Sequence, residues 1–263
     1  MSYSFIWDMD GTLVDSYPAI VPSMQAACSE YGLSFTADYI HEAVIRTSVG
    51  AFLEEICTAN GLDLIPVKAH FNQLNDSNIS AILPIRHAED TLRALTSAGN
   101  RCFVYTHRGA SCHTILEQTG LISYFTEIVT ALDGFPRKPD PGAILYLIDK
   151  YSLAPESCFY VGDRSMDIEA ANNAGIGSIL YLDPSSPIEA TGHETFVVSD
   201  LYEIAEFFSK TELSKTSDSA CFYECSSLAY EGIELHKVYL IQRAFDDSIS
   251  RKNEVVKAAI RID

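Results

Sequence analysis

A chain of 263 residues, 47% hydrophobic and 21% charged, can hold one large α/β domain or a core with a smaller partner. Its formal net charge of −18 argues against nucleic acid as a partner, because phosphate backbones select basic surfaces. A site for a small anion must then be built locally, from a metal ion, backbone amides and a few cations.

No apolar run approaches the ~20 residues that span a bilayer, and no membrane partner is expected. The first residues are already strand-like and lack a basic flank followed by an apolar stretch, so the expected location is cytoplasmic. Seven scattered cysteines without a Cys-x-x-Cys pair fit a reducing compartment better than a disulfide framework.

The first predicted strand, Ser4–Trp7, runs into Asp8-Met-Asp10-Gly-Thr. Alternate strand residues point the same way, so both carboxylates can reach one site. Two acids this close repel one another unless a cation neutralises them. Alone, the segment would equally suit a solvated turn. No convincing strand follows until the helix at His87–Ala98. Tyr17–Tyr31, Ala37–Val44, Val49–Ala59 and Pro66–Ile79 instead read as helices. A helical domain of residues 16–81, inserted after strand one, is the simplest account. It would sit over the carboxyl ends of the strands, where open parallel sheets bind ligands.

The second strand, Arg101–Thr106, ends in Thr106-His107-Arg108-Gly109. A hydroxyl, turn amides and the N-terminus of the next helix can hold phosphoryl oxygens, although Thr106 could simply cap that helix. After a strand at Glu127–Thr130, Lys138 stands among Pro136, Pro139 and Pro141, just before a helix. The prolines would fix the backbone and aim its ammonium group. A strand at Ser157–Val161 leads into Gly162-Asp163, with Asp167 in the first turn of the next helix. Carboxylates at strand ends suit Mg²⁺, which takes one or two of them plus waters. Asp167 would equally complement the helix dipole.

Strands at Ser178–Leu182 and Thr195–Val198 close the pattern. Strand–helix alternation with short connections implies a doubly wound parallel α/β sheet. The expected division is a Rossmann-like core of residues 1–15 and 82–209, the insertion 16–81, and a C-terminal extension 210–263. The extension has too few apolar residues for a core of its own. It is expected to pack on the main domain, a second copy of the chain, or another protein.

The order Asp8-x-Asp10-Gly-Thr, Thr106, Lys138-Pro139, Gly162-Asp163-x3-Asp167 resembles the four motifs of the haloacid dehalogenase-like hydrolases. Within them it is most similar to the phosphoglycolate phosphatase-like branch, whose helical cap follows the first motif. The resemblance implies a Mg²⁺-dependent phosphatase acting on a small phosphorylated metabolite. Asp8 would be the nucleophile and Asp10 the acid and base. Mg²⁺ would be held by Asp8, Asp163 and the backbone carbonyl of Asp10. Thr106, His107 and Lys138 would bind the phosphoryl group, and Asp167 would orient Lys138 or a metal-bound water. In the cap, Arg46 and Ser48 lie where this branch carries a substrate loop.

Two departures stand out: His107-Arg108 replaces the Asn common after the second motif, and the tail after about Lys210 has no counterpart in the family core. A β-phosphoglucomutase-like isomerase shares the core motifs, and a binding protein on the same fold is the alternative of a different class. The true dehalogenases of the superfamily lack an acid at the position of Asp10.

Overall fold

The computed structural model describes residues 2–183 and 186–209. Six parallel strands form one sheet: β1 (Ser4–Trp7), β4 (Arg101–Tyr105), β5 (Phe125–Val129), β6 (Cys158–Gly162), β7 (Gly177–Tyr181) and β8 (Phe196–Val198). Their order is β5-β4-β1-β6-β7-β8. All four residues of β1 are buried, as expected of a central strand covered on both faces. Chain order reverses on either side of β1, between β4 and β6, and ligands of such sheets bind at that point.

Both faces are covered by helices. On one, Phe103, Tyr105 and Tyr160 pack with Ile144 and Leu147 of α7 (Gly142–Tyr151) and Ala170 and Ala171 of α8 (Ser165–Ala174). On the other, Phe208 of α9 (Tyr202–Ser209) meets Tyr3, Phe5 and Phe159 at ring-centroid distances of 4.8–5.0 Å. One buried aromatic of this kind contributes roughly 1.5–3 kcal/mol. It ties the end of the described chain to the first strand.

Between β1 and α5 (Ala88–Ser97) the chain forms α1 (Tyr17–Glu30), α2 (Ala37–Arg46), α3 (Val49–Asn60) and α4 (Leu64–Ser77). Their inward residues, among them Ile20, Met24, Ile40, Phe52, Leu53 and Phe71, make a core separate from that of the sheet. Side chains cap three of these helices: Thr36 accepts from the amide of Tyr39, Ser48 from Ala51, and Asp63 from Ile65. The Asp63 cap starts α4 two residues before the position the sequence pattern suggests. Pro66 falls in the first turn, where its missing N–H is not needed.

Two short elements are new relative to the sequence reading: β2 (Val14–Asp15) and β3 (Leu83–Pro84) pair antiparallel at the base of the insertion. The amide of Ile85 also donates to the carbonyl of Leu13 at 2.9 Å. The chain thus leaves and re-enters the sheet domain through one two-stranded clasp. The expected C-terminal extension, 210–263, lies outside the described residues.

Candidate active site

Sheet register brings three of the four motifs together at the carboxyl end of the central strands. Trp7 lies opposite Val104 on one side and Val161 on the other. Asp8, Thr106 and Asp163 therefore leave the sheet from three adjacent strands. Lys138 arrives from the loop between β5 and α7.

Lys138 Nζ is fully buried and donates to Asp8 Oδ1 at 2.8 Å, Asp167 Oδ1 at 2.6 Å and the Tyr160 hydroxyl at 2.9 Å. Tyr160 gives its own proton to the carbonyl of Tyr105 at 2.7 Å, so it meets Lys138 as an acceptor. Burial, reinforced by Asp8 and Asp167, pushes this phenol's pKa well up and keeps it protonated. An ammonium group has three N–H donors, and all of them are taken here. Burial works to strip the proton from Lys138, but Asp167 and Asp8 hold it charged. Burial raises the pKa of Asp8, with Lys138 pulling the other way.

Asp10 is engaged differently. Arg108 Nε donates to both of its carboxylate oxygens, at 3.1 and 2.9 Å, and Nη2 donates to Oδ1 at 2.6 Å. Burial alone would raise the Asp10 carboxyl, but the guanidinium holds it below the usual carboxylate range. Arg108 Nη1 donates to Ser111 Oγ at 3.3 Å, and its backbone N–H donates to Thr106 Oγ1 at 3.1 Å. That last bond leaves the Thr106 hydroxyl proton free to donate outward.

His107 is turned to the Lys138 loop. Its Nε2 accepts the backbone N–H of Lys138 at 2.8 Å, and its Nδ1 lies 3.0 Å from Arg137 Nη2. Burial and then Lys138, Arg137 and Arg164 push the imidazole pKa down to about 3. The ring is therefore neutral in the fold and protonates near its ordinary value when unfolded. The stability it lends is complete above about pH 6.5 and is lost as pH falls toward 3. Between about pH 7.5 and pH 5 this one group should remove roughly 2 kcal/mol. His107→Gln should lose that part of the pH dependence. Urea melts of both proteins across this range check it, and parallel curves would show that His107 is not held neutral.

The third carboxylate, Asp163, accepts from Thr12 Oγ1 at 3.1 Å. Burial first, with Asp167 and Asp8 adding to it against Arg164, pushes Asp163 up to about 7. Gly11, at φ 85°, makes this approach: a Cβ there would collide with the Asp163 carboxylate, and that φ is in any case unfavourable for other residues. One carboxylate oxygen each of Asp8, Asp163 and Asp167 lie within 4.8 Å of one another. Asp167 already spends Oδ1 on Lys138 and Oδ2 on the backbone N–H of Arg164 at 3.1 Å. Asp8 Oδ2 is buried and accepts no hydrogen bond. Clustered oxygen donors, an orphaned carboxylate oxygen and raised carboxyl pKa values all fit a hard divalent cation held by Asp8 and Asp163.

Arg164, which the sequence reading passed over, lies beside this cluster. Its side chain is 16% exposed, its Nη2 is 3.9 Å from Asp8 Oδ2, and its Nε is buried without a partner. Thr12 stands in the first motif without a role assigned to it from sequence, and Tyr160, two residues before Gly162, has none either. In the helical insertion, Arg46 donates to Glu42 at 3.0 Å along α2 and Ser48 caps α3, so both are occupied locally.

Residues 5–181 match the model of the haloacid dehalogenase-like hydrolase family. A phosphoglycolate phosphatase of Vibrio cholerae is 30% identical over 221 residues, covering 76% of this chain and 94% of that protein. A hydrolase from Streptococcus pneumoniae TIGR4 shares 30% identity over 69% of this chain and 94% of its own, with a TM-score of 0.52. A predicted phosphoglycolate phosphatase from Haemophilus somnus, 22% identical, shares the fold over 79% of this chain and 98% of its own, with a TM-score of 0.70. With its sheet, its insertion point and its clustered motif residues, the chain belongs to the haloacid dehalogenase-like hydrolases, on their phosphoglycolate phosphatase-like branch, and is an enzyme of the phosphoric monoester hydrolase type.

Proposed function

We propose that the protein is a Mg²⁺-dependent phosphatase that passes the phosphoryl group of a small organic phosphate monoester first to Asp8 and then to water. The observation that carries this reading is Asp8 itself. It is a buried carboxylate at a strand end, with one oxygen fixed by the charged Lys138 and the other free of hydrogen bonds. A pinned, desolvated carboxylate beside cations is arranged for attack on phosphorus.

An Asp8 oxygen attacks the phosphorus, the ester P–O bond breaks, and the leaving oxygen takes a proton from Asp10. The Asp10 carboxylate then takes a proton from water, whose oxygen attacks the aspartyl-phosphate. The Asp8–phosphorus bond breaks and inorganic phosphate leaves. Asp10 must be protonated for the first step, so Arg108 has to give up part of its grip when substrate enters. The Thr106 hydroxyl, with its proton free, donates to a phosphoryl oxygen. Bound at Asp8 and Asp163, with the Asp10 carbonyl, Mg²⁺ would neutralise the charge gathering on the phosphoryl group. The insertion, residues 16–81, would act as a cap that excludes water and reads the leaving group.

A panel of phosphoglycolate, sugar phosphates, nucleotides and an aryl phosphate tests this. Inorganic phosphate should be released in Mg²⁺, EDTA should abolish release, and added Mg²⁺ but not Ca²⁺ should restore it. Full activity in metal-free protein would overturn the metal assignment. An isomerised sugar phosphate accumulating in place of inorganic phosphate would make the protein a mutase.

A further inference from the structure

We propose that His107 is a positioning residue: the lone pair on its Nε2 holds the backbone amide of Lys138 and so sets where the Lys138 ammonium meets Asp8. The inference rests on the reading of Asp8 as the phosphoryl acceptor. Three side chains from neighbouring elements bond to the backbone of the loop that carries Lys138. Tyr105, the last residue of β4, donates its hydroxyl to the carbonyl of Pro136 at 3.0 Å. Asn173, in α8, donates Nδ2 to the carbonyl of Pro139 at 3.0 Å. His107, just past β4, takes the amide of Lys138 itself at 2.8 Å. Pro136 and Pro139 have no N–H to offer, so that amide is one of the few donors by which this loop can be held.

Lys138 is therefore fixed at both ends. Its side chain is fully buried, with Nζ on Asp8 Oδ1 at 2.8 Å, and its backbone N–H lies on the imidazole. A close-packed stem has little room to change rotamer, so a loop that drifted from His107 would carry the ammonium away from Asp8.

The ring must choose between two donors. Nε2 faces the Lys138 amide and Nδ1 faces Arg137 Nη2, 3.0 Å away. Burial and the surrounding cations keep the ring neutral, and a neutral imidazole has one N–H and one acceptor nitrogen. Only one of the two contacts can then be a hydrogen bond. Arg137 is exposed and its guanidinium can turn to water, whereas the Lys138 amide is fixed in a loop bonded on either side. The amide takes the lone pair, and the ring proton stands on Nδ1.

The test uses full-length protein with isotope-labelled histidine, and kcat and KM on an aryl phosphate in saturating Mg²⁺. Nitrogen chemical shifts of wild type should show His107, assigned by the signal that its variants lack, as the Nδ1–H tautomer, and Arg137→Ala should leave it so. His107→Leu should lower kcat by at least about tenfold while KM changes by less than about threefold. His107→Asn should behave like His107→Leu, because its amide reaches only as far as Nδ1 of the ring. His107→Gln should recover most of the loss, because its side-chain oxygen can take the place of Nε2 and accept the amide. An Nε2–H ring in wild type overturns the inference, since that ring would bond Arg137 instead, and this reading does not depend on how the variants fold. Gln, Asn and Leu variants with the same kcat also overturn it: unchanged, they show that Lys138 does not need the bond, and equally lowered, that His107 only fills space. A wild-type protein that releases no phosphate from any ester removes the reading of Asp8 and the role of His107 together. Normal wild-type turnover with an Nε2–H ring removes the inference alone.

Discussion

Asp8→Asn should lower turnover by at least about a thousandfold while the protein melts at a temperature close to that of wild type. The loss follows from the mechanism. A carboxamide oxygen carries no charge to offer phosphorus, and no neighbouring group stands in for it. The preserved stability follows from the geometry. The amide oxygen of Asn can still accept from Lys138 Nζ, and the orphaned Oδ2 becomes an NH₂ beside Asp163. Burial already works against the charge on Asp8, so removing that charge relieves desolvation as well as deleting an ion pair. Phosphate release and a thermal melt on the same sample check both halves. A variant that keeps most of its activity would move the nucleophile elsewhere. Asp10→Asn belongs in the same experiment. Its loss should be smaller with an aryl phosphate, whose leaving oxygen needs no proton, than with an alkyl phosphate.

What could be read from the sequence has a common physical origin. The six parallel strands and most helices follow from apolar periodicity and turn residues, which are local signals. Three of the four motifs were visible because each follows directly on a strand, so once the strands were placed their carboxyl ends had to meet; Lys138 instead comes from the loop after β5. The β2–β3 clasp was not visible, because two residues per strand carry no period and the partner lies across the whole insertion. Helix α9 is short, and its role depends on Phe208 reaching Tyr3, Phe5 and Phe159, contacts between opposite ends of the described chain. Residue type alone does not single out Arg164, since an Arg at a helix start is usually solvated. In the fold it lies among the charges of Asp163, Asp8 and Asp167, which come from two strand ends and a helix. The occupation of Lys138 was likewise hidden in Tyr160, an apparently ordinary inward residue of β6. Sequence motifs gave the residue types in the site, and only the hydrogen-bond count shows which of them retain free donors.

The three bonds of the buried Lys138 make Lys138→Met costly for the fold. Met keeps the length and packing of the side chain but removes the only cation bonded to Asp8 and Asp167 among the described residues. Two buried carboxylates are then left facing one another, with the Tyr160 hydroxyl still turned toward Tyr105. Removing one partner of a buried ion pair typically costs about 3–5 kcal/mol. One acid would take up a proton to limit that cost, and the acid that protonates is no longer fit to attack or to position. Lys138→Met should therefore lose about 3–5 kcal/mol in urea unfolding and at least about a hundredfold in kcat. Saturating Mg²⁺ should return part of the stability, because a cation at Asp8 and Asp163 takes over some of the neutralisation, but little of the rate. The double variant Lys138→Met with Asp167→Asn separates the two effects. Removing the second charge should recover stability by about 1–2 kcal/mol without restoring kcat, since Asp8 stays unheld. A single Lys138→Met variant that unfolds with wild-type stability would mean that the ammonium is not what keeps these two carboxylates together.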